Sequence, residues 1–192
     1  MNYIPPEKEQ ETALENLPIL EEVIKGFPDW ITVPLLLSIV SRETQWGHAR
    51  AYRPDSMKGT PNGKGDYSKR PAEVKAQYHG FGFFQIDIAA HPAFVSGGEW
   101  NDVLEAGRYV CKKVLVLWFN YLSSRFPKKT KKELIQGAIA SYNCGGGNVR
   151  AAWKKGLHCD THTAKPKRNY SRDVLDRMEF WKSWYSKKKL NT

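Results

Sequence analysis

Apolar residues recur three and four positions apart in five stretches of the chain, the spacing that places them on one face of a helix. Pro18 is expected to break the first of these helices, because proline lacks the backbone donor that a helix interior needs. Thr32 and Pro34 are typical of a helix start, as N-cap and first-turn residue. The predicted helices cover residues 7–27, 33–45, 100–126, 131–143 and 171–189. The pattern therefore predicts a mainly helical protein.

Two stretches depart from helical spacing. Residues 48–80 are rich in glycine, proline and lysine, and they predict a long loop of the kind that carries function. The following GFGFFQID alternates between two sets of positions, which predicts a strand with Phe83, Gln85 and Asp87 on one face.

Length and composition favour one domain over residues 1–192, with residues 1–30 as an N-terminal helical segment. At 192 residues and 41% hydrophobic content, the chain can bury a sizeable core. No apolar run has the length of a membrane span, and the first residues lack the basic and apolar regions of a signal peptide. We therefore expect synthesis in the cytoplasm and release by lysis or an unconventional route.

The three cysteines are odd in number and form no C-x-x-C pair. This pattern argues against a disulfide framework and against a zinc site. A chain whose thiols stay reduced, and which holds no metal, is the simplest interpretation.

The net charge of +10 is uneven along the chain. Residues 1–124 hold 13 Lys and Arg against 15 Asp and Glu, whereas residues 125–192 hold 17 against 5. Such an excess attracts polyanions, either nucleic acid or the anionic polymers of bacterial envelopes. A charged surface that only keeps the protein in solution is the alternative.

Glu43 is the first candidate for chemistry, because it lies in SRETQWG where an apolar helix ends. Helical steps back from it reach Leu36, Ile39 and Val40, so the acid shares a face with residues that should be buried. An acid in this position reaches solvent, pairs with a neighbouring arginine, or lines a cleft whose apolar surroundings favour its protonated form.

Asp87, Tyr142 and Asn143 are further candidates. Asp87 ends the predicted strand, where an aspartate either caps the following segment or serves as a catalytic carboxylate. Tyr142 and Asn143 precede three glycines, at which a ligand can approach the backbone closely. An ordinary helix C-terminus is the alternative for this pair.

Four motifs taken in order resemble the motif series of the goose-type lysozymes, in the wider group that includes the soluble lytic transglycosylases: SRETQWG, GFGFFQID, AIASYNCGGGNV and NYSRDVL. The resemblance runs from about Val33 to Tyr185. It implies that Glu43 is the catalytic acid, on an apolar helix beside the substrate cleft, and that Tyr170 approaches this acid. The substrate-binding residues that it implies are Gln85, His91, Tyr142, Asn143 and Tyr170.

The chain also departs from the family pattern. Goose-type enzymes of birds carry two acids that position the attacking water, and the one at the QVD-like position is present here as Asp87. The other acid of those enzymes lies in a glycine-rich stretch just before the GFG strand. Counting back from GFG in this chain reaches Ala76 and Gln77, which are not acids. Asp66, farther upstream, is therefore the candidate replacement. The disulfides of the secreted avian enzymes are missing, which fits maturation in a reducing compartment.

Together these observations predict a mainly α, lysozyme-like α+β domain, helical with a small β-hairpin region beside the substrate cleft. The expected reaction is hydrolysis, with inversion, of the β-1,4 bond between N-acetylmuramic acid and N-acetylglucosamine in peptidoglycan. Glu43 serves as general acid, and Asp87 orients the water. The alternatives are a lytic transglycosylase, which leaves a 1,6-anhydro sugar, and a catalytically inactive protein that binds walls or nucleic acid.

The expected partners are peptidoglycan, chitin-type oligosaccharides and anionic envelope polymers, rather than nucleic acid. The protein is expected to be a monomer, and the resemblance implies neither a cofactor nor a metal.

Overall fold

The structure is a computed structural model that describes residues 3–68, 77–161 and 169–190, the side chains of residues 66–68 and 77 excepted. The helices are α1 (Glu7–Glu15), α2 (Leu17–Val23), α3 (Val33–Thr44), α4 (Pro92–Gly97), α5 (Val103–Val110), α6 (Leu117–Arg125), α7 (Lys131–Cys144), α8 (Gly146–Lys154) and α9 (Tyr170–Leu190). Within the described residues, three antiparallel strands form a sheet in the order β1 (Lys64–Ser68), β2 (Gln77–Phe81) and β3 (Ile86–Asp87). The predicted mainly helical fold with a small β-hairpin region is confirmed. In this part of the chain, no helix combines the length and the apolar run that crossing a membrane requires.

The predicted N-terminal helix is two helices, as the proline indicates. α1 ends at Glu15, and α2 begins at Leu17 with Pro18 in its first turn, where a missing N–H breaks no intrahelical hydrogen bond. Leu17, Leu20 and Val23 are buried and attach α2 to the core.

α3 runs through the centre of the molecule. The Thr32 side chain caps it by accepting a hydrogen bond from the Leu35 backbone amide at 3.3 Å, and Pro34 occupies the first turn. Every residue from 33 to 41 is buried, and the helix packs along α9. Gln45 ends the helix in a left-handed conformation, with φ of 49°, so the chain turns sharply there.

Residues 48–80 are not the plain loop that their composition predicts. β1 and most of β2 lie inside this segment and pair as an antiparallel hairpin. The many glycines concealed the strands, because glycine is normally depleted in strand interiors. Here Gly65 and Gly80 face one another across the two strands, and both pack against Gln85.

The prediction of a single strand over GFGFFQID is also wrong. β2 ends at Phe81, the chain turns, and β3 begins at Ile86, directly opposite Phe81. Gly82 takes a left-handed φ of 70° at the start of this turn. Phe83 and Phe84 are adjacent and both buried, at 1% exposure. Successive side chains of a strand point to opposite faces. Here both aromatic side chains pack at the hairpin tip instead.

The long apolar stretch over residues 100–126 forms the predicted helix, apart from its first residues. α5, a π-helical segment at residues 111–116 and α6 follow one another without a break. Asp102 caps the start, because its side chain accepts hydrogen bonds from two backbone amides.

The glycines after α7 end one helix and begin another. Gly145 closes α7 with φ of 75°, and α8 starts at Gly146. A Cβ at Gly146 would lie 2.0 Å from a ring carbon of Trp118, so only glycine allows α8 to approach α6 this closely. The sequence predicted the end of α7 but not the start of α8.

Cys111, Cys144 and Cys159 are free thiols. Burial raises the pKa of all three, to about 12 for Cys111 and to about 11 for each of the others. At neutral pH they therefore stay protonated and unreactive.

Candidate active site

Glu43 lies half-buried in the last turn of α3. Three residues that precede it at helical spacing are fully buried: Leu36, Ile39 and Val40. The next residue, Thr44, ties this end of the helix to the hairpin turn, since its hydroxyl oxygen lies 3.1 Å from the carbonyl oxygen of Phe83. The carboxyl group is therefore carried by a segment that the core holds in place.

Tyr170, the first residue of α9, contacts Glu43 directly. Its phenol donates a hydrogen bond to Glu43 Oε1, and its side chain is almost fully buried. Burial, reinforced by the negative charge of Glu43, raises the pKa of Tyr170 well above its usual range. The phenol thus keeps its proton near neutral pH and remains a hydrogen-bond donor to the carboxyl group. The structure brings together two predicted site residues that lie 127 positions apart.

Tyr142 stacks against the ring of Tyr170. The rings of Tyr142 and Tyr170 are nearly parallel, at an angle of 5° with centroids 6.1 Å apart. The Tyr142 hydroxyl donates to the carbonyl oxygen of Phe84. Its pKa lies well above the usual range, first because protein surrounds the hydroxyl and next because Glu43 is near. Asn143, the following residue, is exposed near the end of α7.

Ion pairs fasten the start of α9 to the end of α3. Arg42 Nε lies 2.5 Å from Asp173 Oδ2, and the Arg42 guanidinium lies 5.4 Å from the centre of the Tyr170 ring. Arg177 Nε lies 3.3 Å from the other carboxylate oxygen of Asp173. Arg177 also donates to Ser41 Oγ at 2.9 Å. Asp173 therefore joins two arginines that brace both helices around Tyr170.

A second contact, which we call the Asp160–Ser171 clasp, holds the first turn of α9. Asp160 accepts hydrogen bonds from the Ser171 backbone amide at 3.1 Å and from the Ser171 hydroxyl at 2.7 Å. Both residues are buried, and Gln136 Nε2 donates to the same hydroxyl at 3.1 Å. Because Ser171 follows Tyr170, the clasp helps to fix the phenol beside Glu43.

Gln85 lies inside the hairpins rather than on an open strand. Its side-chain amide donates to the Gly82 carbonyl oxygen at 2.8 Å. Its side-chain oxygen covers two glycines so closely that a Cβ at Gly65 or Gly80 would lie 2.1 or 2.4 Å away. The expectation that Gln85 and Asp87 share one strand face is wrong, because Gln85 belongs to the turn, with φ of 48°.

Asp87 is exposed at the end of β3. Its Oδ1 accepts a hydrogen bond from the Ala89 backbone amide at 2.6 Å, the pattern of an Asx turn. α4 begins later, with His91 at the N-cap position, so Asp87 does not cap that helix.

His91 lies close to Asp87 and contacts Tyr109, whose hydroxyl is 3.1 Å from His91 Nδ1. Burial lowers the pKa of His91, and the charge of Asp87 opposes this shift. The imidazole is therefore neutral at neutral pH, when it can both donate and accept a hydrogen bond.

Asp66 belongs to β1 by its backbone, and its side chain lies outside the described residues. Its neighbour Gly65 pairs with Gly80, which in turn pairs with Asp87. Two strand spacings therefore separate the backbones near Asp66 and Asp87, about 10 Å.

The larger of the described cavities lies apart from Glu43. It has a volume of about 800 Å³ and lies between α4, α5 and the connection that leads from α2 to α3. Tyr109, the partner of His91, lines it together with Phe27 and Phe94. Glu43, Tyr142 and Tyr170 are not among its lining residues, so the contacts between these three side chains define the site better than the cavity does.

Four supporting residues were missed by the sequence analysis: Asp160, Ser171, Asp173 and Arg177. A signal existed for Asp173, since it lies three residues after Tyr170, while Arg42 lies next to Glu43, so each motif supplies one charge of the pair. Asp160 belongs to no motif, and nothing in the sequence indicates its contact with Ser171.

Comparison with known proteins places these residues in one family. The family model Lysozyme g matches residues 30–184, which include α3, the sheet and most of α9. Lysozyme G of Dromaius novaehollandiae and Lysozyme g of Struthio camelus are each 28% identical to the chain over 148 residues, 77% of this chain and 57% of theirs. Lysozyme g of Gallus gallus is 31% identical over 107 residues, 54% of this chain and 44% of its own. The chain thus spans little more than half the length of the first two of these curated relatives.

Proposed function

Because the chain belongs to the goose-type lysozyme family, we propose that it hydrolyses the β-1,4 bond between N-acetylmuramic acid and N-acetylglucosamine in peptidoglycan. The observation that carries this proposal is the position of Glu43. It is a carboxyl group at the end of a buried helix, within the matched region, with the phenol of Tyr170 bonded to it. A proton donor to a glycosidic oxygen must be a carboxyl group held in a fixed position, and the helix and the phenol together fix this one.

In this proposal Glu43 protonates the leaving oxygen as the bond breaks. A sugar oxygen is a poor leaving group until it is protonated, so the acid must hold a proton near neutral pH. Apolar surroundings favour the protonated form of a carboxyl group, and the buried face of α3 supplies them on one side. The hydrogen bond from Tyr170 restricts the rotation of the carboxyl group, so that the proton is delivered in one direction.

Asp87 is assigned to the attacking water. Its exposure on a short strand keeps its carboxylate in contact with solvent, as a water-orienting group requires. With an acid on one side of the sugar and a water held on the other, the product forms with inversion. Asp66 is assigned a share in this role, because its backbone lies two strands from Asp87.

The proposed substrate contacts come from the hairpin tip, α4 and α7: Gln85, His91, Tyr142 and Asn143. Chitin-type oligosaccharides are expected to occupy the same site, since they carry the same acetamido sugars. We assign no cofactor to the reaction, and we propose that the protein acts as a monomer.

A lytic transglycosylase is the competing reaction, in which no water enters and a 1,6-anhydro sugar forms. Asp87 favours hydrolysis, because a reaction without water has no use for a water-orienting carboxylate.

Two measurements on one digest test the proposal. Clearing of a suspension of purified bacterial walls shows whether the bond is cleaved, and mass spectrometry of the fragments shows how. Hydrolysis leaves ordinary reducing ends, with the α-anomer formed first from soluble oligosaccharides. A predominance of anhydro products, each one water lighter, would overturn hydrolysis. Failure to release any fragment would overturn the enzymatic assignment itself.

A further inference from the structure

Part of the positive charge of the C-terminal third gathers on one surface of the molecule. The rings of Phe126, after α6, and Trp153, in α8, meet edge to face with centroids 5.2 Å apart. Lys129 Nζ lies 5.2 Å from the centre of the Trp153 ring. These contacts bring two basic segments together, and we call the result the basic surface. Its members are the cations of these segments: Arg125, Lys128 and Lys129 line one cavity, Lys132 precedes Glu133 of the same cavity, and Lys154 and Lys155 follow Trp153.

A cavity of about 450 Å³ opens on the basic surface. Its lining residues are Arg125, Phe126, Pro127, Lys128, Lys129 and Glu133. Glu133 is already engaged, because Lys129 Nζ lies 2.6 Å from it and Thr130 donates to it. These bonds, that of Lys129 first, lower the pKa of Glu133 to about 2. The acid is therefore used within the protein, while Arg125 and Lys128 remain exposed at the cavity.

Five cations of the basic surface are exposed and form no ion pair with any of the described residues: Arg125, Lys128, Lys132, Lys154 and Lys155. Stabilisation of the helices explains the positions of only some of these cations. Arg125 and Lys154 stand at helix C-termini, where a positive charge is favourable, but Lys132 lies in the first turn of α7, where it opposes the helix dipole. Like charges on one surface also repel one another. An anionic ligand would offset both costs.

We propose that the basic surface binds the phosphate groups of a poly(glycerol phosphate)-type polymer of the bacterial wall. Lysines are mobile point charges, which suit repeated phosphates presented in no fixed orientation. The polymer also fits better than single-stranded nucleic acid, because Phe126 and Lys129 already contact the ring of Trp153, which is therefore not an open platform for a base. The inference rests on the proposed function and names the wall component that holds the protein on its substrate.

Binding of purified, lipid-free poly(glycerol phosphate) tests the inference without any need for catalysis. The triple variant Lys128→Gln, Lys154→Gln, Lys155→Gln removes three charges from the basic surface. We expect it to bind the polymer about tenfold more weakly at low salt and to show a shallower salt dependence, because fewer counterions are released. The single variants Lys128→Gln and Lys154→Gln should each show a smaller loss in the same direction, and they keep the test in force if the triple variant does not fold.

A matched control removes three exposed lysines from elsewhere: Lys112→Gln, Lys113→Gln and Lys187→Gln. This variant has the same net charge, and it should bind the polymer within about twofold of the unchanged protein if position matters rather than total charge. Equal losses in both triple variants would overturn the inference in favour of general attraction. Duplex DNA that displaces the polymer at lower phosphate concentration would overturn it in favour of nucleic acid.

Lysis assays connect the surface to the enzyme. We expect the basic-surface triple variant to clear intact walls more slowly than the control triple variant. On walls stripped of phosphate polymer, the two variants should clear at the same rate. Both should cleave a short neutral oligosaccharide alike. If neither protein cleaves any substrate, the proposed function fails, while the polymer-binding result still decides the inference. Slower clearing of stripped walls by the basic-surface variant alone would count against a phosphate ligand.

Discussion

Glu43, the proposed general acid, and Asp87, the main carboxyl group proposed to orient water, lie in different surroundings. Glu43 ends a buried helix and accepts a hydrogen bond from a buried phenol. Asp87 is exposed on a strand of two residues, and its carboxylate accepts a hydrogen bond from the backbone amide of Ala89, two residues along the chain. The surroundings of Glu43 depend on contacts between α3 and α9, whereas those of Asp87 depend on a local turn.

We base the two proposed roles on this difference. Apolar, crowded surroundings favour a carboxyl group that keeps its proton, and solvated surroundings favour one that remains ionised. The first suits a general acid, and the second suits a group that orients water. The following changes test whether the two positions differ in function as they do in structure.

Glu43→Gln is expected to have the largest effect, a loss of about 10²–10⁴-fold in the rate of wall lysis. The amide keeps the size of the side chain and the contact with Tyr170 but has no proton to transfer. Folding, followed by circular dichroism, and binding of chitin oligosaccharides should be preserved. Glu99→Gln, an exposed acid outside the candidate site, is the control and should retain full activity. Rapid clearing by the Glu43 variant would remove this residue from the mechanism.

Asp87→Asn should lower kcat by about tenfold to a hundredfold, with little change in ligand binding. An asparagine oxygen can still accept the hydrogen bond from Ala89, so the turn is preserved and the charge alone is lost. Asp66→Asn, measured in parallel, tests whether that acid shares the role. An unchanged rate for Asp87→Asn would leave Asp87 as a turn residue only.

Asp160→Asn tests whether the contacts around α9 matter for Glu43. Weakening the Asp160–Ser171 clasp should displace the Tyr170 phenol and lower kcat by about tenfold, with a smaller change in KM. A double-mutant cycle distinguishes positioning from general destabilisation. In a Tyr170→Phe background, which has no phenol to position, Asp160→Asn should have little further effect on kcat. An equal loss in both backgrounds would argue against the positioning role.

The two phenols beside Glu43, of which Tyr170 is buried and Tyr142 half-buried, predict a smaller effect, on stability at alkaline pH. Tyr142 and Tyr170 have raised pKa values in the folded protein, so the unfolded chain releases these protons first as pH rises. Their contribution is therefore complete below about pH 10 and declines above it, by about 1.4 kcal/mol per pH unit for each phenol. Urea unfolding of the Tyr170→Phe variant should show a correspondingly shallower decline than the unchanged protein. Identical declines would mean that Tyr170 titrates as an exposed tyrosine does.

Most of the described helices, although neither α4 nor α8, could be predicted from the sequence because their signals are local. α3 has a long apolar pattern and the cap at Thr32, and α7 has a glycine at its end. The hairpins could not be predicted in this way. The turn in GFGFFQID depends on left-handed conformations at Gly82 and Gln85, and its aromatic residues imitate the alternation of a strand.

Sequence patterns named Glu43, Asp87, Tyr142 and Asn143 as separate candidates, but only the family resemblance joined them and Tyr170 into one site. Hydrophobic spacing places Glu43 on a buried face, but no local pattern indicates that Tyr170 reaches it. The Asp160–Ser171 clasp depends on the path of the chain between α8 and α9, which neither spacing nor motif determines. The sequence also does not show that Asp87 is exposed whereas Glu43 is half-buried, because exposure depends on how the whole molecule packs.

In the proposed reaction Glu43 gives a proton to the leaving oxygen, whereas Asp87 acts on the water. The most direct test compares Glu43→Gln and Asp87→Asn on a chitin oligosaccharide and on its β-fluoride, whose leaving group departs without being protonated. We expect Glu43→Gln to recover on the fluoride to within about tenfold of the unchanged protein, and Asp87→Asn to stay impaired on both substrates. A Glu43→Gln variant that is as impaired on the fluoride as on the oligosaccharide would contradict this proposal.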